Sequence, residues 1–531
     1  MYVYLLLISV VIIACVIFNK ISNRLGIPML LVFIVFGMFF GTDGVIKVPF
    51  ENYKFAEQIC SIALIFIMFY GGFGTKWSKA KPIAVKAILL SFMGVLFTAG
   101  LTGVFCYYIL GIGLLESFLT GAVISSTDAA SVFAILRSKR LNLKNNTASL
   151  IEVESGSNDP AAYMITYVIL QVMDGGISIP GIIYMIFAQI VFGIAAGVLI
   201  AYLSILFLKK FKFATDGFDA IFVLAIAILA YAFPSVIGGN GYLSTYIVGI
   251  ILGNAKIHNK KSLVNFFDGI TGLMQMLLFF LLGLLSHPSK LADVFFVALA
   301  VFLFLTFIAR PISVFILLTP FKSSIRQQLL VAWSGLRGAA SVVFAVMVTI
   351  SSVTTNNDLF HIAFLIVLFS ILIQGSLIPV AAGKLEMIDD ANDVMKTFND
   401  YTNEVPIQFI QFRIGTEHHW KHMSLSDIQL PPDTLVVLLE RNGEKIVPNG
   451  ETVIEAGDNL VLSAKSPSKI EGVSLMEKVI TKDDEWKDKR ICEIPKDSDM
   501  LIIMIQREGN VIIPNGETVI MENDELVLNM A

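Results

Sequence analysis

The sequence has few charged residues and few cysteines for its length. Charged side chains make up 15% of the 531 residues, whereas 56% are hydrophobic. This composition excludes an ordinary soluble domain and predicts a protein with many membrane spans. The four cysteines have no framework spacing, so we expect no structural disulfide. The sequence lacks a Walker motif, which argues against ATP-driven pumping. We expect no cleavable signal peptide, because the first apolar run has no basic start and no small-residue cleavage site.

Charge divides the chain near residue 384. The preceding part is apolar with a net charge of +9, whereas the part from Lys384 onward has 28 acids and 15 bases, a net charge of −13. We therefore expect a transmembrane domain over residues 1–384 and a linker over 385–403. Two water-soluble modules follow, over 404–468 and 469–531.

About thirteen apolar runs are long enough to cross a bilayer, which takes roughly 17–25 residues. Lysines and arginines are concentrated in alternate connecting loops, for example around residues 76–81, 137–144 and 322–326. Basic loops usually stay in the cytoplasm. The N-terminus is then expected outside the cell, and an odd number of spans places the tail in the cytoplasm.

Polar residues interrupt the sixth apolar run over residues 154–160. Asp159 is expected roughly 16 Å into a ~30 Å hydrocarbon core, where ionisable side chains usually belong to ion or proton pathways. Ser155 lies one turn earlier on the same face, and Glu154 and Asn158 share the neighbouring face. These oxygens suit a monovalent cation, and the carboxylate can also take a proton. The sequence therefore predicts that a cation and a proton compete for Asp159, although a purely structural polar cluster remains an alternative.

The fifth and twelfth runs hold polar residues at mid-span, over residues 125–131 and 334–341. Interrupted helices at matching places in an inverted repeat indicate a transport site. We expect Asp128 to cap broken-helix ends rather than bind the ion directly. Arg337 needs a carboxylate if it is buried, and we pair it with Glu154. A position of Arg337 at the cytoplasmic mouth of the twelfth helix is the alternative.

Four motifs, in this order and spacing, resemble those of the monovalent cation/proton antiporter family, with the greatest similarity to NhaP-like exchangers and the CvrA branch of bacterial potassium/proton antiporters. The motifs are Thr127-Asp128, Glu154-Ser155-x-x-Asn158-Asp159-Pro160, Gly335-Leu336-Arg337-Gly338 and Gln374-Gly375-Ser376.

This resemblance implies a polytopic α-helical membrane protein with the inverted-repeat antiporter fold, about thirteen helices, and crossed broken helices five and twelve. It implies that Asp159 binds the cation and the proton with help from Ser155 and Thr127. It also implies a structural ion pair between Glu154 and Arg337.

The Asn158-Asp159 pair resembles that of relatives that exchange one cation for one proton without net charge movement. Two residues depart from the pattern of many relatives: Ala129 stands where they have proline, and Tyr70 stands where they have an acid. Any ligand or gate that depends on that acid is therefore in doubt in this chain.

The tail contains an ungapped repeat with an offset of 66 residues, seen in V-P-N-G-E-T-V-I from Val447 and I-P-N-G-E-T-V-I from Ile513. In each copy a β-rich run, 434–440 or 500–506, precedes a turn dipeptide, which predicts a hairpin in an α+β module. The pattern resembles the TrkA-C module. That resemblance implies dimerisation and a small ligand such as a nucleotide, with cyclic dinucleotides among the candidates.

The leading hypothesis is a secondary active antiporter, not an enzyme, that exchanges K⁺ or Na⁺ for H⁺ across the bacterial inner membrane. We expect electroneutral exchange, a homodimer formed by membrane and tail domains, contact with membrane lipid, and regulation by a ligand of the tail. No tightly bound cofactor or nucleic acid is expected. A ligand-gated channel is one alternative, but it needs a filter loop that the sequence lacks. A sensor that binds ions without transport is another. The sequence does not separate K⁺ from Na⁺.

Overall fold

The computed structural model describes residues 29–389 and 407–530 with short gaps, together with residues 9, 12, 13 and 17. The gaps are 140, 176, 212–216, 256, 258–259, 417, 432–433, 442–443, 466–473, 482–483, 495–499, 508–509 and 513. The chain divides into two compact units, Met1–Thr402 and Asn403–Ala531.

The described regular structure of the membrane unit is helical, apart from one isolated β-bridge between Leu143 and Ile388. Its helices are α1 (Met29–Phe40), α2 (Tyr53–Gly74), α3 (Lys81–Tyr108), α4 (Leu114–Val123), α5 (Ala129–Ser138), α6 (Thr147–Met173), α7 (Ile179–Lys210), α8 (Phe218–Val236), α9 (Gly241–Asn254), α10 (Lys260–Leu285), α11 (Pro288–Phe321), α12 (Ile325–Trp333), α13 (Ala339–Ile350) and α14 (Leu359–Lys384). A four-residue helix, Trp77–Ala80, precedes α3.

Seven of the helices searched in the described residues are long and apolar enough to cross a membrane, namely α2, α3, α7, α8, α10, α11 and α14. The predicted polytopic membrane fold is therefore confirmed. The first predicted span, centred near residue 10, lies almost entirely outside the described residues, and the count of thirteen stays a prediction.

The predicted interruptions of the fifth and twelfth spans are also confirmed. The fifth span consists of α4 and α5, which are separated by residues 124–128, and the twelfth consists of α12 and α13, which are separated by residues 334–338. Serine, threonine and aspartate compete for backbone hydrogen bonds, and glycine is a poor helix former, so both sequences favour a break. The two breaks touch, because the Asp128 N–H donates to the Leu336 carbonyl at 2.8 Å.

Buried apolar side chains pack differently at the two ends of the membrane unit. We call the end with the lysine- and arginine-rich loops the basic end, and the other the acidic end. At the acidic end, a single cluster joins residues of α1, α2, α3, α4, α6, α9, α10, α11, α13 and α14.

At the basic end, the described buried residues form two separate clusters. The core cluster joins α3, α5, α6, α11, α12 and α14, and includes Leu90, Leu150 and Leu330. The scaffold cluster joins α2, α7, α8, α9 and α10, and includes Phe73 and Phe267. The described buried residues of the two helix groups thus form one joint cluster at the acidic end and two clusters at the basic end, although α6 and α9 still touch where a Cβ atom at Gly156 would lie 2.7 Å from the Tyr246 ring.

The tail unit consists of two similar four-stranded antiparallel sheets. The first has the order β1 (Ile407–Arg413), β4 (Asn459–Lys465), β2 (Thr434–Arg441), β3 (Glu444–Ile446), and the second has the order β5 (Ser474–Val479), β8 (Glu525–Met530), β6 (Met500–Arg507), β7 (Asn510–Ile512). The predicted hairpins are confirmed, since β2 pairs with β3 and β6 with β7. The helical structure described between these strands is 3₁₀, at Leu425–Asp427 and Ile491–Glu493.

Each tail module contains a buried carboxylate held by an arginine at the same repeat position. Arg441 donates two hydrogen bonds to Asp458, both at 2.8 Å, and Arg507 donates two to Asp524, both at 2.7 Å. Burial alone would raise the pKa of each carboxyl group, but the hydrogen bonds from arginine and from one backbone N–H bring the pKa below its usual range.

These two carboxyl groups predict that the tail loses stability in acid. A lowered folded-state pKa contributes stability above the unfolded value of about 3.9, and this contribution disappears as the pH falls through the folded value. We expect amides of β2 and β4 to lose protection below about pH 4, as measured by pulsed hydrogen exchange on the full chain. Arg441→Met should weaken this loss in acid in the first module only, because the pKa of the buried Asp458 carboxyl group then rises, and Arg507→Met should do the same in the second module only. If either variant changed the pH dependence of both modules equally, the assignment would be contradicted.

Candidate functional site

The two helix breaks place oppositely charged groups at the helix ends. Just beyond the end of α4, the carbonyls of Ser125 and Ser126 accept hydrogen bonds from Arg337 Nη1 at 2.5 and 2.9 Å. Asp128 lies at the start of α5, where its Oδ1 accepts from the Ser131 N–H at 3.4 Å and its Oδ2 accepts from the Ser131 hydroxyl at 2.5 Å. The guanidinium thus faces carbonyl ends and the carboxylate faces N–H ends, as the helix dipoles favour.

Asp159 lies beside the first break. Its carboxylate is 8% exposed and accepts a hydrogen bond from the Ser126 hydroxyl. Thr127 Oγ1 lies 2.8 Å from Ser155 Oγ and accepts from Asn158 Nδ2 at 2.5 Å. The structure therefore brings together the four predicted binding residues and adds Ser126, which the sequence analysis missed.

This group of side chains is rich in oxygen. It offers the Asp159 carboxylate, the hydroxyls of Ser126, Thr127 and Ser155, and Oδ1 of Asn158, which is buried and has no hydrogen-bond partner among the described residues. Oxygen ligands suit hard cations. Within the described residues, the ion pairs that the structure contains do not include Asp159, so its carboxylate is available for a cation or a proton.

The predicted ion pair between Glu154 and Arg337 was wrong. Glu154 forms its ion pair with Arg310 of α11, whose Nη2 lies 2.5 Å from Glu154 Oε1, and both side chains are almost fully buried. Arg337 is close enough to interact electrostatically with both, but it donates to helix-end carbonyls instead. Arg310 stands in the middle of an apolar run, and the rule that marked Asp159 as unusual would also have marked it.

Two glycines of the Gly335-Leu336-Arg337-Gly338 motif make room for these charged side chains. A Cβ atom at position 335 would lie 2.7 Å from Arg310 Nε, and one at position 338 would lie 2.4 Å from Asp128 Oδ2. A residue larger than glycine at either position would collide with these side chains.

Three π-helical segments lie near the crossing, and each contains or directly precedes a residue that makes a polar contact there. They are Leu90–Gly94 of α3, Leu305–Ala309 of α11 and Ser370–Gly375 of α14. Ser91 donates to the Glu154 carbonyl at 3.0 Å, and Arg310 directly follows the second segment.

The third segment stabilises the break of the twelfth span. Ser370 Oγ accepts from the Arg337 N–H at 2.9 Å, and Gln374 Nε2 donates to the Trp333 carbonyl at the end of α12. The motif Gln374-Gly375-Ser376 therefore satisfies a broken-helix end. Tyr70, which replaces an acid of many relatives, donates to Asp268 of α10 at 3.1 Å.

Comparison with known families assigns both parts of the chain. Residues 8–383 match the family described as "Sodium/hydrogen exchanger, transmembrane", and residues 409–468 and 475–529 each match the TrkA-C domain.

Individual relatives are similar over most of their length. The chain is 33% identical over 466 residues to the K(+)/H(+) antiporter NhaP of Alkalimonas amylolytica, covering 87% of this chain and 81% of the relative. It is 31% identical over 459 residues to the K(+)/H(+) antiporter NhaP2 of Shewanella sp. (strain MR-4), covering 85% and 79%. Among solved structures, it resembles the sodium proton antiporter MjNhaP1 from Methanocaldococcus jannaschii, with a TM-score of 0.63, 25% identity, and coverage of 71% of this chain and 97% of that one.

Proposed function

The chain belongs to the transmembrane sodium/hydrogen exchanger family with two TrkA-C domains in its tail, and we propose that this cation/proton antiporter exchanges K⁺ for H⁺ at Asp159. The observation that carries the proposal is the buried Asp159 carboxylate among hydroxyl and amide oxygens, with the neighbouring Glu154 neutralised by Arg310. A carboxylate in this setting holds either a cation or a proton.

The packing of the two helix groups supports alternating access. Asp159 lies on α6 between Val153 of the core cluster and Ala161 of the acidic-end cluster. The separation of the core and scaffold clusters at the basic end supports access to Asp159 from that side, while the joint cluster closes the other. Movement of the core helices past the scaffold helices then exposes Asp159 to the acidic end.

We assign the basic end to the cytoplasm of a bacterial inner membrane, since basic loops are retained there. The tail is then cytoplasmic as well. We propose a homodimer in contact with membrane lipid, as the resemblance implies. K⁺ is favoured over Na⁺ because the relatives that align over 85–87% of this chain are named K(+)/H(+) antiporters.

Electroneutral one-for-one exchange is supported by the charges around the site. Asp159 is the carboxylate of the group that lacks an arginine partner among the described residues, and Asn158 beside it is neutral at any pH. One carboxylate exchanges one monovalent cation for one proton, so the cycle moves no net charge.

The test is proton flux in proteoliposomes containing the full chain, with a pH-sensitive dye and K⁺, Na⁺ or choline added in turn. We expect the signal of the dye to recover when K⁺ is added. The rate of this recovery should stay the same when valinomycin and K⁺ hold the membrane voltage constant. Recovery with Na⁺ alone would overturn the K⁺ assignment. Flux that follows the voltage would favour a channel or unequal exchange, and binding without flux in wild-type protein would favour a sensor.

We further propose that a small ligand of the TrkA-C modules regulates exchange, with cyclic dinucleotides as the first candidates to add. Removing the tail after about residue 390 should preserve exchange and abolish the response to ligand or pH. The measurement compares initial flux rates of the full and shortened chains with and without nucleotide. An assembled but inactive shortened protein would show that the tail is needed for transport itself.

A further inference from the structure

Asn240 connects the scaffold helices to the ion-binding helix directly beside Asp159. Its side chain donates from Nδ2 to the carbonyl of Pro160, on α6, at 2.9 Å. Asn240 itself precedes α9, whose later residues belong to the scaffold cluster, whereas the earlier part of α6 belongs to the core cluster. The hydrogen bond therefore joins the two helix groups at the level of the transported ion.

The rest of Asn240 is fixed to the scaffold. Its Oδ1 accepts from the Leu243 N–H at 3.0 Å and so caps α9, and its backbone N–H donates to the Gln189 carbonyl of α7 at 3.0 Å. A Cβ atom at Gly193 of α7 would lie 2.9 Å from the Asn240 carbonyl oxygen, so α7 and α9 are in close backbone contact here. Asn240 is thus fixed to α7 and α9, and its Nδ2 reaches α6.

A second acceptor for the same amide is already in place. Gln189 Oε1 lies 3.4 Å from Asn240 Nδ2, and the Gln189 side chain is 3% exposed with no hydrogen-bond partner at Nε2 among the described residues. Asn240 is itself 2% exposed. A buried amide that loses one partner needs another, because an unsatisfied donor is costly.

We propose that Asn240 is a positioning residue for transport, which holds α6 through the Pro160 carbonyl in the present conformation and keeps its amide donor satisfied through Gln189 Oε1 alone when α6 moves away. The proposal rests on alternating access as given under the proposed function. It predicts opposite effects of two substitutions. Loss of the Asn240 amide removes the bonds to Pro160 and Gln189 from this conformation but only the bond to Gln189 from the other. Loss of the Gln189 acceptor leaves the amide bonded to Pro160 here and without an acceptor in the other conformation.

The test measures conformational populations in the full chain rather than flux. Spin labels at Lys81→Cys in the core group and Lys210→Cys in the scaffold group, with Cys15 and Cys492 replaced by serine, report the separation at the basic end by pulsed electron resonance in nanodiscs. Asn240→Ser keeps a hydroxyl to cap α9 and loses the reach to Pro160. We expect it to raise the population of the shorter distance roughly 2- to 13-fold, the range for one buried hydrogen bond.

Gln189→Met should lower the shorter-distance population by a similar factor. The control is Ser204→Ala in α7, whose buried hydroxyl donates to the Ile200 carbonyl of the same helix at 2.7 Å and should leave the populations unchanged. If Asn240→Ser does not fold, Asn240→Thr and Gln189→Met carry the test.

The positioning role of Asn240 would be overturned if the Asn240 and Gln189 variants shifted the distance populations in the same direction. It would also be overturned if both variants had the distance distribution of the wild type. These populations are read without any cation gradient. If the two variants shift the populations in opposite directions but the wild-type protein shows no cation-driven proton flux, the proposed exchange is refuted and the positioning role of Asn240 stands.

Discussion

Asp159→Asn is expected to reduce cation-driven proton flux to the level of protein-free liposomes. The substitution keeps the size of the side chain and an oxygen that can accept from Ser126, but it removes the group that binds either a cation or a proton. Exchange requires both states at one site, so a neutral amide should stop the whole cycle instead of slowing it. The measurement is the dye assay with K⁺, together with the thermal unfolding midpoint of the purified protein.

Asp219→Asn is the matched control for this substitution. Asp219 is also buried in the membrane unit, at the start of α8, but it belongs to a helix of the scaffold group, and its Oδ1 accepts from the Ala220 N–H. We expect Asp219→Asn to retain exchange. K⁺-dependent flux that survives Asp159→Asn in a folded protein would remove Asp159 from its assigned role, and equal loss in both variants would indicate a general effect of buried carboxylates.

The sequence predicted those parts of the structure that depend on local order. Serine, glycine and aspartate within two apolar runs predicted both helix breaks, because these residues weaken a helix wherever they stand. Helical spacing placed Ser155, Asn158 and Asp159 close together, because positions three and four apart are neighbours. The exact offset of 66 residues predicted two equivalent tail modules, and Arg441 and Arg507 do occupy equivalent places.

The partners that come from distant parts of the chain were not predictable in the same way. Glu154 and Arg310 are 156 residues apart, and only the packing of α6 against α11 decides that Arg310, and not Arg337, reaches this carboxylate. Ser126 was missed for a different reason. Residues 124–128 are not helical, so no regular period indicates which of Ser126 and Thr127 faces Asp159.

Removal of the Arg310 guanidinium is expected to lower the free energy of unfolding by as much as the breaking of one buried ion pair can. Arg310→Met would leave the Glu154 carboxylate buried without its partner, which typically lowers the free energy of unfolding by roughly 3–5 kcal/mol. The exposed pair of Arg326 with Glu386 is the matched control, and Arg326→Met should cost only about 0–1 kcal/mol. Unfolding midpoints and yields of the two variants in the same detergent make the comparison.

A double-mutant cycle distinguishes Arg310 from Arg337 as the partner of Glu154. Replacing both members of a buried pair with apolar residues of similar volume often restores stability, so Arg310→Met combined with Glu154→Met should be more stable than Arg310→Met alone. Arg337→Met should also destabilise, because the carbonyls of Ser125 and Ser126 lose their donor, but Glu154→Met should not rescue it. Glu154→Met can restore stability only in a variant that has left the Glu154 carboxylate buried without its partner. Rescue of Arg337→Met, with none for Arg310→Met, would therefore restore the pairing inferred from the sequence.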